Sequence, residues 1–341
     1  DSLTYFDAVR FPVIGKIYPD SLPFFSRIPY FLKPTTREAV WNLGQNSAGI
    51  AVRFRSDSPV IAVKWENTFN NSMKHMAPVG IKGLDLYCFI DGKWRFVNSA
   101  QPSGKTNQWQ IISGMDATER EYMLYLPLYD GIHSLQIGVA APSHIGQPSL
   151  PYPDTRKPIV FYGSSITQGA CASRPGMAAT NLIGRKLNVE TINLGFSGNA
   201  FIDYEVAEMM AHVDASAYVL DYVPNASPEQ ILEKTEKFVR ILREKHPDVP
   251  LIFVEDPIFP HSKFDLRMAK EIKDKNDAMN QAFSSLKKQG LKKIYLVKGR
   301  SLISANGEST VDGIHFTDCG FEQYVDAILP ILKKAINHKK K

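Results

Sequence analysis

The 341-residue sequence predicts two domains of different class. Residues 1–150 read as an antiparallel β-sandwich, and residues 151–341 as a three-layer α/β/α domain built on a five-stranded parallel sheet. Three observations predict this. Up to about residue 141, short runs alternate apolar with polar residues or are rich in Val, Ile and aromatics, as half-buried strands are. Beyond residue 158, five apolar strand-like runs alternate with helical patterns, which implies parallel strands covered on both faces. Between them lies "APSHIGQPSLPYPDTRKP", dense in Pro, Gly and Ser, a linker composition that sets the boundary near residue 150.

The sandwich strands are expected in "AGIAVRFRSD", "VIAVKWEN", "LDLYCFIDGKWRFV" and "HSLQIGVAA", with turns at Asp91-Gly92 and Asp130-Gly131. A long helical pattern is absent from this half. The parallel strands are expected in "PIVFYG", "VETINLG", "AYVLDYV", "PLIFVED" and "KKIYLVKG". Helices are expected over roughly 176–187, 203–212, 228–245, 265–289 and 320–337. Ser227-Pro228-Glu229 places an N-cap serine before a proline at the first helical position, a clear start signal.

Composition excludes several function classes. The chain is 44% hydrophobic and 22% charged, and its net charge is +5, part of it in the tail His338-Lys339-Lys340-Lys341. No stripe of basic and aromatic residues suits a nucleic acid, so none is expected as partner. No apolar run approaches the roughly 18–20 residues of a membrane span. Cys88, Cys171 and Cys319 are too few for a disulfide framework and lack metal-ligand spacing. Neither metal nor cofactor is expected. The chain opens on Asp1, which fits either a removed leader or a trimmed start, so composition leaves the compartment open. Nothing in it specifies an oligomeric state.

In a parallel α/β sheet, ligands bind beyond the carboxyl ends of the strands, so chemistry is sought there. After the first strand, "GSSITQG" lacks the lysine of a phosphate loop and the glycine spacing of a dinucleotide fingerprint. Thr167 also breaks the G-x-S-x-G elbow. What remains is a strand-to-helix turn with a hydroxyl at the helix start, either an N-cap serine or a seat for a nucleophile. After the second strand, "NLGFSGNA" offers Gly198, a turn glycine or a residue whose N–H approaches a substrate oxygen. After the third, Asn225 is a turn former or an oxyanion donor. The crevice-facing position argues against reading Asn225-Ala226-Ser227 as a glycosylation acceptor. After the fifth, Asp312 and His315 stand three residues apart, so the carboxylate can hold Nδ1 and leave Nε2 to take a serine proton. Together these positions supply nucleophile, oriented base and oxyanion donors.

The chain therefore resembles the SGNH (GDSL-type) hydrolases, whose signature residues Ser, Gly, Asn and His lie in four separate blocks. Ser165 in "GSSITQG", Gly198 in "LGFSGNA", Asn225 in "DYVPNAS", and Asp312 with His315 in "DGIHF" match them in order. Two departures stand out: Ser164 occupies the place of the usual acid of Gly-Asp-Ser, and the third block reads Asp-Tyr-Val-Pro-Asn. Gly83-Leu84-Asp85-Leu86-Tyr87 resembles the GxDLY motif of a β-sandwich module that precedes SGNH domains in bacterial hydrolases.

The resemblance implies a flavodoxin-like catalytic domain behind a jelly-roll-like sandwich. It also implies a serine ester hydrolase with Ser165, His315 and Asp312 as its triad. The Ser165 and Gly198 N–H groups and the Asn225 amide would form the oxyanion hole. Two-domain relatives commonly act on acylated carbohydrates and many are exported, so a carbohydrate O-acetyl esterase acting outside the cytoplasm is expected. The rivals are a lipid or thioester acylhydrolase and a carbohydrate-binding protein with an inactive hydrolase domain. Arg174 is a candidate contact for a polar or anionic substrate, with an exposed charge or a structural ion pair as its alternatives. Trp65, Trp94 and Trp109 either stack on sugars or fill the sandwich core. Cys171 and Cys319 follow Ser165 and His315 closely, so a disulfide or two free thiols are both open.

Overall fold

A computed structural model describes residues 2–151 and 157–337. The linker residues 152–156, against which the boundary near residue 150 falls, and the basic tail 338–341 lie outside the described residues.

The first half forms two antiparallel sheets. One runs in the order Leu3–Asp7, Ile132–Ala140, Ile61–Asn67, Thr106–Ile112. The other runs Ile145–Gly146, Ala51–Ser56, Arg120–Tyr125, Leu84–Ile90, Lys93–Ala100, with Val13–Ile14 also paired to Ala51–Ser56. Their inner faces enclose a core that includes Val52, Phe54, Val63, Trp65, Leu86 and Ile137. All four predicted strand segments are present. The three longer strands not predicted, at 3–7, 106–112 and 120–125, alternate weakly or run apolar for only part of their length. Trp65 is buried in this core and Trp109 packs against it, whereas Trp94 is buried in a separate cluster with Tyr87, Met123 and Tyr125.

The second half is a five-stranded parallel sheet in the order Thr191–Gly195, Ile159–Gly163, Ala217–Asp221, Leu251–Val254, Ile294–Val297. In chain order this is 2-1-3-4-5, the flavodoxin-like arrangement, whose switch point lies beside the first strand. The pleat sends Ile159 and Phe161 into one core and Val160 and Tyr162 into the other. Helices Ala179–Leu187 and Asp318–Asn337 cover one face; Tyr204–Ala211, Pro228–Lys245 and most of Leu266–Lys288 cover the other. The Ser227 start signal appears as a capping box. Its Oγ accepts from the Gln230 N–H at 3.2 Å, and Gln230 Oε1 accepts from the Ser227 N–H at 2.9 Å.

The two halves share apolar surface. Ile28, Val40 and Trp41 join the core on one face of the parallel sheet, and Met76, Ile81 and Leu128 join the core on the other. Two short helices that the sequence pattern did not suggest, Glu38–Gly44 and Pro78–Lys82, carry part of this contact.

Candidate active site

The strand Ile159–Gly163 ends where the chain must reverse tightly into a helix, and glycine makes the turn possible. A Cβ on Gly163 would lie 2.1 Å from Thr167 Oγ1, and one on Gly195 of the neighbouring strand 2.2 Å from the Gln168 nitrogen. The serine helix thus packs directly on the backbone of the neighbouring strand. The one-turn helix Ser165–Gln168 begins at this turn, with Ser164 as N-cap: its Oγ accepts from the Ile166 N–H at 3.2 Å. Two adjacent serines therefore divide two roles. Ser164 is fully buried and closes the helix end, while Ser165 keeps 7% of its surface and turns its hydroxyl to the crevice.

The final loop reaches Ser165 from the far side. His315 Nε2 lies 3.0 Å from Ser165 Oγ, and His315 Nδ1 lies 2.7 Å from Asp312 Oδ2. The other oxygen, Oδ1, accepts from the Ile314 N–H at 3.1 Å and the His315 N–H at 2.8 Å. Partial burial alone would raise the Asp312 pKa. Hydrogen bonds from the imidazole and the two backbone amides outweigh it and hold the carboxyl down at about 2. Asp312 is ionised at any ordinary pH, so Nδ1 carries the proton and the Nε2 lone pair faces the hydroxyl. Such an arrangement can deprotonate a serine as it attacks a carbonyl.

The second and third loops meet at the same sheet edge. Gly198 has φ +67°, in the region that favours glycine, and a Cβ there would meet open space. Asn225 Oδ1 accepts from the Ala200 N–H at 3.1 Å, which fixes the amide's orientation despite the unusual third block and leaves Nδ2 free to donate. The Ser197 N–H donates to Gln168 Oε1 at 3.0 Å, tying this loop to the serine helix.

Arg174 is placed elsewhere. Its guanidinium pairs with Asp85 Oδ2 at 2.9 Å, donates to the Tyr87 hydroxyl at 2.7 Å and stacks 3.6 Å over the Phe96 ring. The structural ion pair is thus the reading the structure supports. The GxDLY residues Asp85 and Tyr87 consequently bind the loop that follows the serine helix. Asp85 is fully buried and also accepts from Ser99 Oγ at 2.6 Å and the Gly176 N–H at 2.7 Å. Cys171 and Cys319 are both free thiols.

Several residues near the site carry little or no signal in the sequence. Tyr129, from the first half, is buried and donates to Ser197 Oγ at 3.2 Å. His75, also from the first half, brings its ring 5.2 Å from that of His315 and its Nε2 to 4.0 Å from Asp312 Oδ2. Beneath the serine helix, buried Asp221 accepts from Tyr324 Oη at 2.5 Å and Thr167 Oγ1 at 3.2 Å. The Asp221 neighbourhood is half legible, because Asp221 stands at a strand end. His75 and Tyr129 are not legible at all, since only the packing of the two halves brings them here.

Comparison with known proteins agrees with this arrangement. The GDSL-like Lipase/Acylhydrolase family matches residues 156–333, and the N-terminal module of SGNH-hydrolase-type esterases (GxDLY) matches residues 3–145. A crystal structure described as a GDSL-like lipase from Bacteroides ovatus is 38% identical, with 98% of each chain covered and a TM-score of 0.94. A salicylyl-acyltransferase from a tetracycline biosynthetic pathway shares the fold at 16% identity, 97% coverage of each chain and a TM-score of 0.76. A family two carbohydrate esterase from Cellvibrio japonicus shares it at 11% identity, 98% coverage of each chain and a TM-score of 0.63. No curated protein matches the chain by sequence. With its four blocks brought to one sheet edge and both of its modules matched, the chain belongs to the GDSL-like lipase/acylhydrolase family and is a hydrolase of ester bonds.

Proposed function

We propose that the chain is a carbohydrate O-acetyl esterase, removing short acyl groups from glycans by a serine acyl-transfer mechanism. The observation that carries the mechanism is the unbroken hydrogen-bonded line from Asp312 through His315 to Ser165. Ser165 Oγ attacks the ester carbonyl carbon while His315 Nε2 takes its proton, and Asp312 stabilises the imidazolium. The oxyanion is met by the N–H groups of Ser165 and Gly198 and by the Asn225 amide. His315 then returns the proton to the departing sugar hydroxyl, and water activated by the same nitrogen releases the acid.

The two-module layout, shared as a fold with carbohydrate esterases, supports a glycan substrate. The absence of a long apolar lid in the sequence supports a short acyl group. Acetate release from a panel of acetylated glycans, beside hydrolysis of C2 to C12 nitrophenyl esters, tests the substrate. Preference for C8–C12 esters with no glycan deacetylated favours the lipid acylhydrolase instead. Ser165→Ala tests the chemistry: equal rates in wild type and variant overturn the nucleophile assignment and favour the sugar-binding alternative.

A further inference from the structure

Three soft or borderline donors from separate segments converge beside the triad. One donor atom each from His75, Cys171 and His315 lies within 4.8 Å of the others. They come from a loop of the first half, the segment after the serine helix, and the final loop. Nothing in the hydrolytic mechanism uses His75 or Cys171.

We propose that His75, Cys171 and His315 form an inhibitory site for a thiophilic divalent cation, Zn²⁺ being the natural probe. Two imidazoles and one thiolate are a donor set such a cation prefers, and three protein ligands leave a fourth position for water. Tetrahedral Zn²⁺ with bonds of about 2.0–2.3 Å needs donors roughly 3.3–3.6 Å apart, so the group draws in by at most about 1–1.5 Å. His75 is about one-third exposed and can supply that rotation.

Asp312 already occupies the outer shell that a metal-bound histidine requires. It holds His315 Nδ1 at 2.7 Å and lies 4.0 Å from His75 Nε2, which fixes the tautomer and adds negative charge beside the cation. Because Nδ1 is engaged, the lone pair open to a cation is on Nε2, the one that must accept the Ser165 proton. Binding and catalysis therefore compete for one electron pair. The Cys171 thiol gives its proton to the buffer and binds as thiolate. The backbone at Cys171 has φ +68°, uncommon for a residue with a side chain, at a turn where its thiol lies within 4.8 Å of a nitrogen of each ring.

The inhibitory consequence rests on the hydrolase reading; the binding does not. The full reduced chain is titrated with Co²⁺, whose thiolate charge-transfer and tetrahedral d–d bands report the ligand set, and Zn²⁺ is then used to displace it. The expected result is one Co²⁺ per chain with a thiolate band that is absent in Cys171→Ser. His75→Ala should weaken binding by at least on the order of 10–100-fold. Ser165→Ala should bind Co²⁺ as wild type does, even if no esterase activity is found. In parallel, ester hydrolysis in buffered Zn²⁺ should fall, with each variant read against its own metal-free rate and the midpoint shifted upward in both Cys171→Ser and His75→Ala. Circular dichroism verifies that the variants fold. Lack of a thiolate band, or Zn²⁺ sensitivity unchanged in both variants, overturns the proposal.

Discussion

Replacing Asp312 with Asn tests the mechanism at its most specific point. The two carboxylate oxygens differ: Oδ1 accepts from two backbone N–H groups at 3.1 and 2.8 Å, while Oδ2 faces His315 Nδ1 at 2.7 Å. An asparagine must choose an orientation. Keeping its oxygen on the two amides turns its NH₂ toward Nδ1. The opposite orientation points NH₂ at two N–H donors, a repulsive contact that gives up two hydrogen bonds in exchange for one. The first orientation therefore wins, and His315 shifts its proton to Nε2, where it no longer has a lone pair for Ser165. A triad held in the wrong tautomer loses on the order of 10⁴-fold in kcat. That loss corresponds to about 5.4 kcal/mol of barrier. Hydrolysis of 4-nitrophenyl acetate measures it, with a thermal melt to show that the variant is folded. A folded Asp312→Asn retaining kcat within tenfold of wild type would show that His315 does not depend on the carboxylate for its tautomer.

Three other outcomes follow from the same geometry. Asn225→Ala should cost on the order of 10²–10³ in kcat, since it removes a donor to the oxyanion, and about 1 kcal/mol of stability through the lost bond from the Ala200 N–H. Arg174→Ala should lower stability by about 3 kcal/mol, because Asp85 is left buried with hydroxyl and backbone partners alone. Denaturant melts measure this, and kcat/KM per folded molecule should stay unchanged; a large rise in KM would return Arg174 to the substrate. Asp221 should make the protein less stable as pH rises. Burial, with a smaller push from Asp256, outweighs the Tyr324 and Thr167 hydrogen bonds and moves its pKa from 3.8 up to about 7. Across that window the folded state holds a proton the unfolded state has lost, so stability falls with rising pH. Thermal melts from pH 4 to 8 should show this slope, and Asp221→Asn should reduce it, leaving the share of Asp256, whose burial also lifts its pKa to about 7.

Local pattern along the chain is enough to read the class of both halves, the order of the four signature blocks and the start of the helix at Ser227. These depend on local periodicity and on residue types at strand ends, and both are written along the chain. The four blocks meet because a parallel sheet gathers its carboxyl ends at one edge, a consequence of topology that local pattern is sufficient to predict. Ser164 and Ser165 become distinguishable only once the turn is folded, because the Ser164 oxygen then accepts a backbone N–H while the Ser165 oxygen faces His315 Nε2. Arg174 is ambiguous in the sequence for a similar reason. Its partner Asp85 lies 89 residues away, and a charge's function depends on what stands opposite it across the packed halves. His75 and Tyr129 are beyond the reach of sequence altogether. No local periodicity encodes the packing of one half on the other, and that packing alone brings a histidine from the sandwich half to within 4.0 Å of Asp312.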